Sequence, residues 1–156
     1  EYVVGNVLRY HLETDRMWQL NHNKEWMQGD SGEGMLPLAS QKVIGILGLG
    51  ELGGACATAL ANLNFRVIGW SRRQKRKSDI EGVGVECCYH GKEGIKQVMK
   101  QSNVLVLLLP NTPDTIDIIN KETLSLCKPG VAIINVGRGS LIHEDDLLDA
   151  LDSAIV

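Results

Sequence analysis

Three glycines about one third of the way along the chain have a spacing that suits phosphate binding. Gly48, Gly50 and Gly53 form a G-x-G-x-x-G pattern. The first glycine of such a pattern permits a tight turn, the second lets a pyrophosphate approach the backbone, and the third lets the following helix pack closely. The first N–H groups of that helix, at Glu51 and Leu52, would bind phosphate oxygens. The spacing predicts a dinucleotide-binding turn, and the alternative is an ordinary glycine-rich connection.

The residues on either side of the glycines have the character that such a turn requires. Residues 42–47 are apolar and partly β-branched, which predicts a buried strand. Residues 54–61 are mostly small and apolar, which predicts a helix that can lie close to that strand. A strand before the glycines and a helix after them favour the dinucleotide-binding interpretation.

The end of the second predicted strand indicates which cofactor the chain prefers. About 20 residues after the glycines, an NAD-binding fold places an acidic residue on the adenosine ribose. This chain has Ser71, Arg72 and Arg73 there and no carboxylate. A serine hydroxyl and arginine guanidinium groups suit a 2′-phosphate, so we expect NADP rather than NAD. The alternative, a solvated basic loop, is favoured for the rest of the run to Lys77.

Arg138 follows the last predicted strand, at the carboxyl edge of a parallel sheet. Ligands bind at this edge in open α/β sheets. A guanidinium group there could bind a substrate carboxylate and polarise the neighbouring carbonyl, and Gly137 and Gly139 would let the backbone turn around it. The alternative is a structural arginine that caps the strand or pairs with Glu144.

Composition excludes several other classes of protein. A net charge of −3 and a pI near 5.8 indicate no general affinity for nucleic acid or for anionic membranes. The apolar run at residues 104–110 is far shorter than the ~20 residues of a membrane span. The four cysteines form no C-x-x-C pair, and a site at Cys87, Cys88 and His90 lacks a second ligand pair, so we expect no metal. Reduced thiols in the cytoplasm are the expectation.

The chain alternates predicted strands and helices, which is typical of an α/β fold with a doubly wound parallel sheet. One helix is expected over residues 2–20, from Val3, Val7 and Leu8 at helical spacing, with a polar continuation to 28 and Met27 as an anchor. A flexible connection follows at 29–34, within a linker at 29–41, and the Rossmann-type core occupies 42–156. The expected strand order is 3-2-1-4-5, with later strands missing. The remaining strands are expected at 65–70, 83–89, 103–109 and 131–136, and the almost wholly apolar run at 103–109 fits a central strand buried on both faces. The remaining helices are expected at 94–101, with Ile95 and Val98 facing inward, from 114 and at 144–151.

Three ordered motifs resemble the cofactor domain of the D-isomer-specific 2-hydroxyacid dehydrogenases. They are the glycine turn at 48–53, Leu-Leu-Pro-Asn-Thr-Pro-Asp-Thr at 108–115, and Asn-Val-Gly-Arg-Gly at 135–139 followed by Glu-Asp-Asp-Leu at 144–147. The Leu-Leu-Pro-Asn-Thr version, together with Trp-Ser-Arg at 70–72, most resembles the glyoxylate/hydroxypyruvate reductase branch. The resemblance covers nearly the whole chain.

The resemblance implies roles for individual residues. Arg138 would bind the 2-oxo acid, and the first helix would take part in a dimer contact and in the link between domains. The family's catalytic glutamate and histidine, and its substrate domain, would lie outside these residues, and His143 does not match that histidine. The remaining implied contacts are to the cofactor, from Leu109, Pro110, Asn111 and the Thr115 hydroxyl, with Val136 and Gly137 near the nicotinamide.

Two classes of function remain open from the sequence. The first is an oxidoreductase that transfers a hydride between NADP(H) and a small 2-oxo or 2-hydroxy acid, assembled as a homodimer. The second is a non-catalytic dinucleotide-binding module or dimerising sensor. A glutamate and a histidine further along the natural chain would favour the enzyme.

Overall fold

The computed structural model describes residues 1–26 and 36–156. The predicted connection at 29–34, the Met27 anchor and most of the linker lie outside these residues. Strands and helices alternate through the second range as predicted, except that only a short 3₁₀ turn (Lys77–Asp79) separates the second and third strands. The strands are β1 (Val43–Leu47), β2 (Arg66–Ser71), β3 (Cys87–His90), β4 (Val104–Leu107) and β5 (Ala132–Asn135). The helices are α1 (Tyr2–His11), α2 (Thr14–Asn23), α3 (Glu51–Asn62), α4 (Gly91–Gln101), α5 (Lys121–Leu124) and α6 (Glu144–Asp152).

The five strands form one parallel sheet in the order β3-β2-β1-β4-β5, which confirms the predicted topology. Every residue of β1 and β4 is buried, as expected of central strands that helices cover on both faces. Within the described residues, every helix is too short or too polar to cross a bilayer.

Each face of the sheet has its own apolar core. Leu47 contributes to one cluster and Ile46 to the other, because successive strand side chains point to opposite faces. Ile95 and Val98 of α4 are buried in the first cluster, which confirms the predicted inward face of this helix. The second cluster holds Leu60 of α3 and two residues of α1.

The prediction of one continuous helix over residues 2–20 is wrong. Helix α1 ends at His11, and the chain passes through Glu13 with φ +48° before α2 begins. Val3 and Val7 of α1 are buried in this chain's own core, in the second cluster. The Tyr10 hydroxyl donates a 2.6 Å hydrogen bond to the carbonyl of Gly130 and so ties α1 to the sheet.

Two further boundaries differ from prediction. No helix begins at Asp114: residues 113–117 form turns, Asp117 has φ +51°, and the helix comes later as α5. The third strand is shorter than predicted, because Gly82 and Gly84 take positive φ values and the pairing with β2 starts only at Cys87.

Candidate functional site

Four loops leave the sheet at one edge. Leu47, at the end of β1, lies beside Trp70 on β2 and Leu107 on β4, and Leu107 lies beside Asn135 on β5. Because the strands are parallel, the segments that follow these residues emerge together at the carboxyl edge. This edge therefore carries the glycine turn, the basic segment after β2, and the loops after β4 and β5.

The glycine turn has the geometry that its spacing predicts. Gly48 has φ +108°, its N–H donates a 2.9 Å hydrogen bond to the carbonyl of Trp70, and a Cβ on it would lie 2.7 Å from the carbonyl oxygen of Leu108. A Cβ on Gly53 would overlap the carbonyl oxygen of Gly48. Gly50 differs, since nothing lies within 4 Å of the position its Cβ would take. Two of the glycines thus build the turn, and the middle one keeps open space in front of it.

The start of α3 presents backbone N–H groups at that open space. Gly50 is the N-cap residue, it makes no side-chain cap, and the first helical hydrogen bond runs from Gly54 N–H to its carbonyl at 2.8 Å. The N–H groups of Glu51, Leu52 and Gly53 precede that bond and have no partner within the helix. These groups, with the positive end of the helix dipole, suit an anionic ligand.

The segment after β2 holds the three residues predicted to bind a 2′-phosphate. The Ser71 hydroxyl is nearly buried and donates a 2.6 Å hydrogen bond to the carbonyl of Arg73, so it shapes this loop. Arg72 Nη1 lies 2.9 Å from Asp114 Oδ2, and both side chains are exposed. Arg73 is exposed and forms no ion pair among the described residues. The structure places these three residues at the carboxyl edge. It also brings Asp114 into contact with Arg72, which the sequence did not predict.

The loop after β4 is held together by one buried hydroxyl. Thr115 donates a 2.6 Å hydrogen bond to the carbonyl of Pro110 and accepts one of 2.9 Å from the N–H of Thr112. Leu109 is buried in the core beneath it, whereas Pro110 and Asn111 are exposed at the edge. The Thr115 side chain therefore fixes the loop that presents the other predicted residues.

The loop after β5 presents Arg138. The Asn135 side chain accepts a 3.0 Å hydrogen bond from Gly137 N–H and donates another of 3.0 Å to the carbonyl of Arg138. A Cβ on Gly137 would lie 2.9 Å from the carbonyl oxygen of Leu109 and 2.6 Å from Leu141 Cδ1, so a larger residue here would force the neighbouring backbone to shift. The guanidinium of Arg138 is exposed, donates to the carbonyl of Gly137 at 3.1 Å, and forms no ion pair with Glu144. The sequence analysis gave Asn135 no role. Its position in the Asn-Val-Gly-Arg-Gly motif could have indicated that its side chain holds the loop around Arg138.

A hydrogen bond joins the loops after β4 and β5. The Ser140 hydroxyl donates to the side-chain oxygen of Asn111 at 3.1 Å. Val136 is exposed beside Gly137, at the same edge. The exposed residues predicted for these two loops, Pro110, Asn111, Val136 and Arg138, therefore lie along one rim at the carboxyl edge.

The cysteines and histidines lie away from this rim or at its margin. All four cysteines are free and half-buried, and burial raises the pKa of Cys127 to about 11. The His11 ring packs edge-on against Phe65 with centroids 5.0 Å apart, and burial lowers its pKa. Among residues 1–26 and 36–156, no three potential metal ligands cluster. His143 is the N-cap residue directly before α6, and its Nδ1 lies 3.4 Å from Asp146 Oδ2.

Comparison with known proteins gives a consistent result. The family model described as D-isomer specific 2-hydroxyacid dehydrogenase, NAD binding domain, matches residues 4–156. Glyoxylate/hydroxypyruvate reductase A of Serratia proteamaculans is 36% identical over 152 residues, which are 97% of this chain and 45% of that protein. The chain thus spans about half the length of this curated relative.

Solved structures share the fold along almost the whole chain. A D-isomer specific 2-hydroxyacid dehydrogenase from Xanthobacter autotrophicus Py2, in complex with NADPH and MES, superposes with a TM-score of 0.87 at 34% identity, over 99% of this chain and 46% of that one. An NADPH-dependent glyoxylate/hydroxypyruvate reductase from Sinorhizobium meliloti, in complex with NADP and sulfate, gives 0.85 at 33% identity, over 99% and 47%.

Proposed function

The chain belongs to the D-isomer specific 2-hydroxyacid dehydrogenase family, and from that premise we propose that it is the NADP(H)-binding part of a reductase of small 2-oxo acids. One observation carries the cofactor assignment. The carboxyl end of β2 presents Ser71, Arg72 and Arg73, with no carboxylate among them, beside an open glycine turn. The relatives named for glyoxylate and hydroxypyruvate reduction suggest acids of that size as substrates.

The glycine turn fits a pyrophosphate. Open space in front of Gly50 and the unpartnered N–H groups at the start of α3 supply both room and donors. In this proposal Gly48, Gly50 and Gly53 shape the turn, while the N–H groups of Glu51 and Leu52 donate to the phosphates. The residues proposed to contact the rest of the cofactor are Ser71, Arg72, Arg73, Leu109, Pro110, Asn111, Thr115, Val136 and Gly137.

Arg138 is proposed to hold the substrate. Its guanidinium is exposed at the rim and fixed at its base by Asn135, so it can bind a carboxylate through two parallel hydrogen bonds. The same positive charge would stabilise negative charge that develops on the 2-oxo oxygen. The bound cofactor supplies the hydride for this reduction. The family resemblance assigns the proton to a histidine outside residues 1–156.

The cofactor proposal is tested by removing one charge. Arg72→Ala removes a charge-assisted contact worth about 1.5–3 kcal/mol, so NADPH binding should weaken tenfold or more while NADH binding changes little. Arg9→Ala is the matched control, because the Arg9–Asp15 pair is exposed to the same degree (59% and 65%) as Arg72–Asp114 (58% and 66%). Equal losses for NADPH and NADH would overturn the assignment.

The substrate proposal needs an enzyme assay of the longest natural chain that contains these residues. Arg138→Ala should sharply lower the rate of NADPH oxidation with glyoxylate or hydroxypyruvate and leave the NADPH affinity nearly unchanged. Normal NADPH binding without any turnover by the unmodified protein would instead favour the non-catalytic module.

We also propose a homodimer and a reducing compartment such as the cytoplasm. Helix α2 has no buried residue and exposes Met17 and Trp18, which supports an interface there rather than on α1. Four free cysteines support a reducing environment.

A further inference from the structure

An exposed ion pair crosses the carboxyl edge of the sheet. Arg72 directly follows β2, and Asp114 lies in the turn after β4, 42 residues later. Strand β1 lies between β2 and β4, so the two walls are about 10 Å apart at the usual strand spacing. Contact at 2.9 Å between Arg72 Nη1 and Asp114 Oδ2 therefore spans the end of β1, where the glycine turn begins.

The pair lines a cleft. The cleft has a volume of about 720 Å³, and both Arg72 and Asp114 line it, with Trp70, Ile95 and Thr115. This volume is within the range of small-molecule sites. Arg72 reaches from the β2 side and Asp114 from the β4 side, so the ion pair joins the two walls.

The pair can be exchanged for a stronger one. It uses a single nitrogen of Arg72, and exposure of both side chains makes its contribution small. A phosphate dianion offers a guanidinium two parallel hydrogen bonds and a larger charge. When the phosphate binds the Arg72 guanidinium in place of Asp114, the Asp114 carboxylate lies beside an anion and repels it.

We propose that Asp114 is a specificity-determining residue that acts through Arg72. Its carboxylate holds Arg72 in the absence of phosphate and competes with the 2′-phosphate of NADPH for this guanidinium. NADH has no 2′-phosphate, so NADH binding leaves the ion pair intact. The preference for NADPH over NADH is consequently smaller than Arg72 alone would produce. This inference rests on the proposed assignment of Arg72 to the 2′-phosphate.

The test measures the NADPH and NADH affinities of Asp114→Asn by fluorescence titration. NADPH should bind about threefold to fivefold more tightly, the upper part of the range of an exposed ion pair, and NADH within twofold of the unmodified chain. The gain should shrink at high salt, which screens exposed charges. Asp114→Glu, which keeps the carboxylate, should retain the unmodified affinities.

Three variants separate this role from a general effect. Asp15→Asn breaks an equally exposed Arg–Asp pair elsewhere, and Asp117→Asn removes a carboxylate from the same turn that pairs with no arginine or lysine in the described ranges. Neither should change the ratio of the NADPH and NADH affinities. In an Arg72→Ala background, Asp114→Asn should improve NADPH binding less than it does in the unmodified chain, because the competition for Arg72 is absent and only the direct repulsion of the phosphate remains.

Other outcomes overturn the inference. Weaker NADPH binding by Asp114→Asn would make Asp114 a support for Arg72, and equal gains for NADPH and NADH would make its effect non-specific. An unchanged NADPH affinity would also refute it. If Arg72→Ala selectively weakens NADPH while Asp114→Asn does nothing, only this inference fails. If Arg72→Ala weakens the binding of NADPH and of NADH equally, the assignment of Arg72 to the 2′-phosphate itself fails.

Discussion

Gly50→Val separates the building of the turn from the binding of a ligand. Gly50 has φ −79° and ψ −161°, which valine adopts readily, and no atom lies within 4 Å of its Cβ position. The new side chain meets nothing in the protein. It fills the space in front of the N–H groups at the start of α3 instead.

Gly50→Val should change the free energy of unfolding little and the NADPH affinity strongly. The free energy of unfolding should change by no more than about 1 kcal/mol, because the loss of glycine's flexibility in the unfolded chain and the poorer N-cap that valine makes act in opposite directions. Each N–H to phosphate hydrogen bond that valine blocks is worth about 1.5–3 kcal/mol, a loss of roughly tenfold to 150-fold in NADPH affinity.

Urea unfolding followed by circular dichroism, and titration with NADPH, measure these two quantities. Gly53→Ala is the comparison, because its Cβ would overlap the carbonyl oxygen of Gly48 and should destabilise the chain by about 1–3 kcal/mol. Normal NADPH binding by Gly50→Val would refute the reasoning, as would a destabilisation equal to that of Gly53→Ala.

Three other predictions concern the loop, the pH dependence and the assembly. Thr115→Val removes the buried hydroxyl from the loop after β4 and should lower the free energy of unfolding by about 1–3 kcal/mol in urea titrations, whereas Thr115→Ser should recover most of it. Burial, and then the charge of Lys42, lower the pKa of His11 below its usual 6.5. His11 therefore binds a proton more readily in the unfolded chain than in the folded protein. Stability from this residue is present above pH 6.5 and is lost as the pH falls through the folded pKa, and His11→Gln should flatten that part of the pH profile of unfolding. Trp18→Ser on α2 should convert the proposed dimer to monomer in sedimentation velocity, and an unmodified chain that sediments as a monomer would contradict the dimer.

Features with local or periodic signals could be predicted from the sequence. Apolar runs without alternation predicted the central strands β1 and β4, and the glycine spacing predicted the turn between β1 and α3. Helical spacing of Ile95 and Val98 predicted the buried face of α4. Each of these signals lies within about 20 residues of the feature that it predicts.

The features that were missed depend on conformations or contacts without such a signal. Glu13 and Asp117 adopt the left-handed region, where glycine is the usual residue. The sequence therefore predicted neither the end of α1 nor the turn after β4. The contact between Arg72 and Asp114 joins residues 42 positions apart. It exists only because β2 and β4 lie on either side of β1, which the three-dimensional structure reveals.

The most direct test of the central claim is a side-by-side titration of the unmodified chain with NADPH and NADH at physiological salt. The account predicts a dissociation constant for NADPH at least about tenfold lower, because Arg72 gains a charge-assisted contact that only the 2′-phosphate offers. Equal dissociation constants, or tighter binding of NADH, would contradict it.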